Sequence, residues 1–236
     1  MKIDILTPTI RGFQPPTLDP VLTDIVCHWK TSGIKPLSYA RRDLLKESDT
    51  EWSLFVDDDV RWDAHSIVEL VNSSLGEDIG AVETQIIDDP KGLNAEQMHH
   101  GPHFASEKVT RGWTGFTLVR ASACKDWNPP PINTFEDESL RRFLAKKELR
   151  WIRNMKISVT HEIAYHTPAQ FFRDGLNASQ VLNSKSMVWS FAKYPLFLRH
   201  GRKRTSYYTQ FLKGMLTGIV EGPGPTQLTN VKERED

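Results

Sequence analysis

An α/β fold is predicted by three observations. Short apolar strands alternate with amphipathic helices along the first two thirds of the chain. One strand, Trp52–Val56, runs directly into three consecutive aspartates, Asp57, Asp58 and Asp59. After residue 167 the texture changes to aromatics mixed with basic residues. Alternation of this kind builds a sheet flanked by helices, with ligands at the carboxyl ends of its strands. The 236 residues suffice for one large domain with an appendage.

Taken in order, Lys2 to Thr7 reads as a first strand, stopped by Thr7-Pro8-Thr9 and a Pro-rich stretch through Pro20. Val21 to Trp29 fits a strand or a short helix. Ser38 to Glu47 carries Tyr39, Leu44 and Leu45 at helical spacing around Arg41 and Arg42, and the Trp52–Val56 strand follows. Ala64 to Leu75 is a helix with Ile67, Leu70 and Val71 on one face, and Ile79 to Ile87 a strand. Asp88 to Val109 is polar, with His99, His100 and His103, and reads as a long mobile loop. Thr114 to Arg120 is a strand, and Asn128-Pro129-Pro130-Pro131 a firm break. Glu138 to Leu149 is helical, and Trp151 to Thr160 holds a further strand. Domain boundaries follow at 1–167, at 168–221 for a helical C-terminal extension, and at 222–236 for a disordered tail.

Lys plus Arg and Asp plus Glu both total 30, so the formal charge is zero, which argues against general nucleic-acid binding. No apolar run reaches the length that crosses a bilayer, and no secretory signal opens the chain. Cys27 and Cys124 stand in no metal-ligand spacing and read as reduced thiols of a cytoplasmic protein.

The aspartate triplet carries the chemistry. Acidic triplets also occur as solvated turns or helix caps, but this one closes an apolar strand. Carboxylates so close raise one another's pKa and repel unless a cation sits among them. Mg²⁺ or Mn²⁺ takes oxygen ligands and keeps positions open for phosphate oxygens. A metal site that holds a phosphorylated substrate follows.

Four segments, in this order, resemble a nucleotide-sugar glycosyltransferase of the GT-A type, close to glycosyltransferase family 2. Ile5-Leu6-Thr7-Pro8-Thr9 is similar to the first strand and its Pro-Thr exit, and Tyr39-Ala40-Arg41-Arg42 to an Ala-Arg-Asn segment. Asp57-Asp58-Asp59 matches the Asp-x-Asp (DXD) signature, and Phe135-Glu136-Asp137-Glu138-Ser139-Leu140 resembles the acceptor-side Glu-Asp motif. The likeness covers residues 1 to about 165. It implies a GT-A-like, mixed and mostly parallel sheet flanked by helices. It also implies sugar transfer from a nucleotide-diphosphate donor, a UDP-sugar foremost, to a glycan, lipid-linked or other hydroxyl acceptor, with inversion.

Carried over residue by residue, the resemblance gives Asp57 and Asp58 to the nucleotide side and Asp59 to Mn²⁺ or Mg²⁺. Val159-Thr160-His161 resembles a Val-x-His that supplies a further metal ligand, with His166 the competing candidate. Asp137 becomes the base that deprotonates the acceptor hydroxyl; capping of its own helix is the plainer alternative. Thr7, Thr9 and Arg41 line the nucleotide pocket, although Arg41 also reads as a solvated helix residue. Gly112-Trp113-Thr114-Gly115 lets the backbone approach the donor while Trp113 stacks on the acceptor or fills the core. Arg42 stands where the family has Asn. The family's base-reading acid has no clear counterpart, with Asp24, His28 and Trp29 all candidates.

Two rivals stand beside this reading. A sugar nucleotidyltransferase needs a glycine-rich basic loop after the first strand, for which Arg11-Gly12 is a poor substitute. An idle binding module of the same fold has no need to keep Asp57, Asp59, Asp137 and His161 together. The 168–221 stretch either touches an anionic membrane surface or forms a helical cap or homodimer contact.

Overall fold

The computed structural model describes residues 1–9, 25–34, 36–74, 76–90, 109, 112–163, 168–192 and 202–222. The strands are β1 (Lys2–Pro8), β2 (Val26–Ser32), β3 (Trp52–Val56), β4 (Val60–Arg61), β5 (Ile79–Pro90), β6 (Phe116–Arg120) and β7 (Arg150–Ile163). The helices are α1 (Leu37–Glu47), α2 (Ala64–Ser73), α3 (Glu136–Lys146), α4 (Pro168–Val181), α5 (Ser184–Ala192) and α6 (Arg202–Val220).

All seven strands form one sheet in the order β2-β1-β3-β6-β5-β7-β4. β1 pairs in parallel with β2 and β3, and β5 in parallel with β7. β6 runs antiparallel to both β3 and β5, and β4 antiparallel to β7. The sheet is therefore mixed, yet five of its strands point the same way, as the resemblance implies.

Period-two alternation sorts the strand residues onto two faces. Ile3, Ile5, Leu54 and Val56 join Ile67 and Leu70 of α2 in one buried cluster. Leu6 and Phe55 point the other way, to Leu44 and Leu45 of α1 and Leu140 and Leu144 of α3. Each fully buried Leu or Ile contributes about 1.5–3 kcal/mol of transfer free energy. The sheet sandwiched between these helices is thus a stiff platform for what its strand ends carry.

α2 begins where the sequence places it, because the Asp63 side chain caps its first turn by accepting from Ser66 N. α3 begins two residues earlier than its apolar spacing predicts, at Glu136. Phe135 takes a left-handed φ of 67°, which sets the chain's entry into that helix. β4 was not anticipated: two residues are too few for any periodicity. The ambiguous segment before Trp29 resolves as strand from Val26. The histidine-rich segment 91–108, His166 and the tail after Gly222 lie outside the described residues.

The chain divides into two compact units, residues 1–34, 39–129 and 137–164 in the first, and 35–38, 130–136 and 165–236 in the second. The first holds the sheet. In the second, α4 and α6 cross with their backbones in contact. A Cβ on Gly175 would lie 1.9 Å from the Phe211 carbonyl oxygen, and one on Gly214 1.8 Å from that of Phe172. Ile132, Phe135 and Ala178 form its buried core, with Phe211 stacked on Phe135 at 6.2 Å.

Candidate active site at the end of the third strand

β3 delivers the aspartates to the middle of the sheet, and the first of them is gripped at once. Arg41 Nη2 of α1 donates to Asp57 Oδ1 at 2.8 Å and to Oδ2 at 3.1 Å, while Nη1 donates to the Thr114 carbonyl at 3.2 Å. The Asp57 amide donates to the Gly115 carbonyl at 2.8 Å. The Arg41 side chain is 2% exposed and lies over the Phe55 ring, whereas that of Asp57 keeps 23% of its surface open. Burial lifts the Asp57 pKa above the ordinary range. Arg41 opposes that lift; Asp59 adds to it, His161 lowers it and Asp58 raises it again.

Asp58 turns back toward β1, where its Oδ2 accepts from Thr9 Oγ1 at 2.5 Å. Thr9 is itself tied down by its amide, which donates to the Ser32 carbonyl at 2.9 Å. Thr7, one pleat earlier, is fully buried, and its hydroxyl has no hydrogen-bond partner among the described residues.

Asp59 faces the far side of the sheet. After the acidic turn the chain forms β4, whose Val60 lies opposite His161 in the ladder with β7. This pairing brings together residues about one hundred positions apart, and His161 Nε2 stands 3.5 Å from Asp59 Oδ2. Asp59 Oδ1 is buried and, among the described residues, accepts no hydrogen bond. An ionised oxygen in that state is costly unless something cationic occupies the space in front of it. Among the described residues no group of three or more His, Cys, Asp or Glu side chains is placed to hold an ion. One carboxylate and one imidazole nevertheless suit Mg²⁺ or Mn²⁺, which completes its shell with phosphate oxygens and water. The donor set and the orphaned oxygen fit such an ion.

The segment 112–115 links this pair to Asp137. Trp113 meets His161 edge-on, ring centroids 5.8 Å apart. A Cβ on Gly115 would lie 2.2 Å from the Trp113 ring, so only glycine lets the indole lie there. A Cβ on Gly112 would lie 3.3 Å from the Asp137 carbonyl oxygen and 3.1 Å from the Trp151 ring. Asp137 sits half-buried in the first turn of α3, and its Oδ1 accepts the Glu138 amide at 2.7 Å. Glu138 has a different task. Burial raises its pKa, but hydrogen bonds from Arg141 and Arg142, at 2.7 Å, outweigh it and hold the carboxyl below the ordinary range.

Sequence reasoning therefore named residues that the fold gathers at one sheet edge: Asp57, Asp58, Asp59, His161 and Thr9, with Asp137 linked through Gly112 and Trp113. Two expectations change. Arg41 is neither a solvated helix residue nor open to a ligand; buried on Asp57, it positions that carboxylate. Thr7 is sealed inside the sheet.

One residue was missed. Glu83 of β5 is completely buried, accepts from Trp113 N at 3.0 Å and Trp151 Nε1 at 2.7 Å, and pairs with Arg153 of β7. Burial pushes its pKa up to about 7 against the pull of Arg153. A charge inside an apolar strand was the available signal.

No family model matches the chain, and no curated protein matches it. Among solved structures, the chain is similar to TarS from S. aureus in complex with UDP-GlcNAc, with 15% identity, a TM-score of 0.47, and coverage of 94% of this chain and 82% of that one. It is also similar to the mannosyltransferase PcManGT from Pyrobaculum calidifontis in complex with GDP-Man and Mn²⁺, with 10% identity, a TM-score of 0.49, and coverage of 94% and 76%. Identities and scores this low do not transfer an activity.

Proposed function

We propose that this chain is a metal-assisted glycosyltransferase that moves a sugar from a nucleotide-diphosphate donor to an acceptor hydroxyl with inversion. The observation that carries the reading is the orphaned Oδ1 of Asp59, whose other oxygen faces His161, beside an Asp57 immobilised by a buried arginine. Asp59 and His161 would hold Mn²⁺ or Mg²⁺, whose charge offsets that developing on the departing diphosphate, an effect worth several kcal/mol. Asp57, its carboxylate fixed from behind by Arg41, presents its open edge to the ribose. Thr9 and Asp58 fix the turn between them.

Asp137 accepts the proton of the acceptor hydroxyl as that oxygen bonds to the anomeric carbon and the sugar–phosphate bond breaks. Its first-turn position sets it at the positive end of the helix dipole, and a positioned base of this kind contributes about 10²–10⁴ in rate. Trp113, seated over Gly115 between His161 and the Asp137 helix, offers an apolar face for a sugar ring.

Thermal-shift measurements with UDP-, GDP-, CMP- and dTDP-sugars, with and without Mn²⁺, test the reading. Stabilisation by one donor that grows with Mn²⁺ and vanishes in Asp59→Asn is expected. A flat response to every donor in both conditions would overturn it.

A further inference from the structure

The zero net charge of the chain conceals an imbalance. Residues 168–222 carry eight Lys or Arg against two Asp or Glu, so the rest of the chain is acidic by the same margin. A basic segment in a neutral protein points to an anionic partner.

α5 lies in this segment, and its amphipathicity is inverted. Lys185, Val188, Trp189 and Ala192 follow the i, i+3, i+4, i+7 stripe of a helix, and all four are exposed. Val188 is 66% and Trp189 62% exposed, and Phe191 beside them is also open. The half-buried positions are Ser186, Met187 and Ser190. Two of these three are serines, and their polar groups are engaged: Ser190 Oγ donates to the Ser186 carbonyl at 3.1 Å, and the Ser190 carbonyl accepts from the Tyr208 hydroxyl of α6. α5 is thus anchored by its polar side and turns its apolar side to solvent. A helix packed only for its own domain has the opposite arrangement.

We propose that α5 inserts this stripe into the headgroup region of an anionic lipid surface. Val188, Trp189 and Phe191 enter the apolar boundary. Lys185, on the same stripe, and the net positive charge of residues 168–222 supply the attraction to anionic lipid. No helix among the described residues is long and apolar enough to cross a membrane, and the contact proposed is interfacial. A nucleic-acid partner would use the same charge, but it gives no reason for an outward Val-Trp stripe.

Co-sedimentation of the full chain with phosphatidylcholine vesicles, with and without phosphatidylglycerol, tests this. Binding to the anionic vesicles, weakened by salt and at least ~10-fold lower in Val188→Ser/Trp189→Ser, is expected. The two positions are exposed, so the variant should melt with the wild type; if it melts lower, Lys185→Glu on the same stripe carries the test. Absence of sedimentation overturns the proposal. So does binding that the double variant retains, which would mark a general polyanion site that RNA competes for. Loss of a dimer by light scattering in the double variant, with no lipid binding, would assign the stripe to a second copy instead.

Discussion

Two arginine–carboxylate pairs sit in the same sheet unit and are built to opposite ends. Glu83 and Arg153 are 0% and 1% exposed, and two further N–H donors complete the carboxylate. Arg41 is equally buried on Asp57, but Asp57 keeps an open edge, and two residues on, Asp59 holds a buried oxygen that accepts no hydrogen bond among the described residues. A carboxylate whose two oxygens are both occupied holds a fold in one arrangement. An unfinished one at a strand end waits for a ligand. The two pairs should therefore fail differently when broken.

The largest effect is expected at the unfinished end. Asp59→Asn should lower sugar transfer about 10³-fold, in line with the several kcal/mol a metal supplies, and abolish the Mn²⁺-dependent thermal shift. Without ligand its melting temperature should hold or rise, because one member of a repelling group is gone. A lower melting temperature with an intact Mn²⁺ response would make Asp59 structural. Asp137→Asn should cost about 10²–10⁴ in transfer and leave donor binding unchanged; equal loss of both would remove it as the base.

Glu83→Gln should do the reverse, leaving Arg153 buried without its carboxylate at about 3–5 kcal/mol of stability above about pH 7, where Glu83 is ionised. The pH dependence sharpens this. Folded Glu83 holds its proton up to about pH 7, whereas the unfolded chain releases it near 4.5. Across that window the native state binds more protons, so this group's contribution to stability falls as pH rises from about 4.5 to about 7. The slope of melting temperature against pH should flatten there in Glu83→Gln. An unchanged slope would mean that Arg153 keeps the carboxyl ionised throughout.

The same contrast explains what was legible in the sequence. Asp57-Asp58-Asp59 stands out because a local rule is broken at a strand end, where side chains still reach solvent. His161 could be named only through a resemblance, since its approach to Asp59 depends on the two-residue β4 and its register with β7. Strands of the core were readable from period and composition. Glu83 was not, because its partners come from β7 and from the segment before β6, and no single-strand pattern encodes a contact across a sheet. Arg41 is turned inward, onto Asp57: helical spacing gives a face, not what that face meets.

A smaller effect is expected at Gly115. Alanine there drives a methyl into the Trp113 ring, a clash of the kind that costs about 1–3 kcal/mol when the indole must move. If Trp113 serves the acceptor sugar, acceptor KM should rise while donor-induced stabilisation persists. Stability loss with unchanged KM would return Trp113 to the core.

The smallest change is the most diagnostic. Thr7 is fully sealed and its hydroxyl has no partner among the described residues, so Thr7→Val replaces an unsatisfied polar group with a methyl of the same shape. Such a swap is neutral or stabilising, by up to about 1 kcal/mol. If Thr7 is only wall, the variant melts at or above the wild type and binds donor equally. If the strand end opens to admit the nucleotide, the hydroxyl gains a partner, and donor affinity drops by about 1 kcal/mol, some five-fold. Donor titrations of this one variant thus decide whether the pocket is finished as it stands or is completed by movement of β1 against the acidic turn.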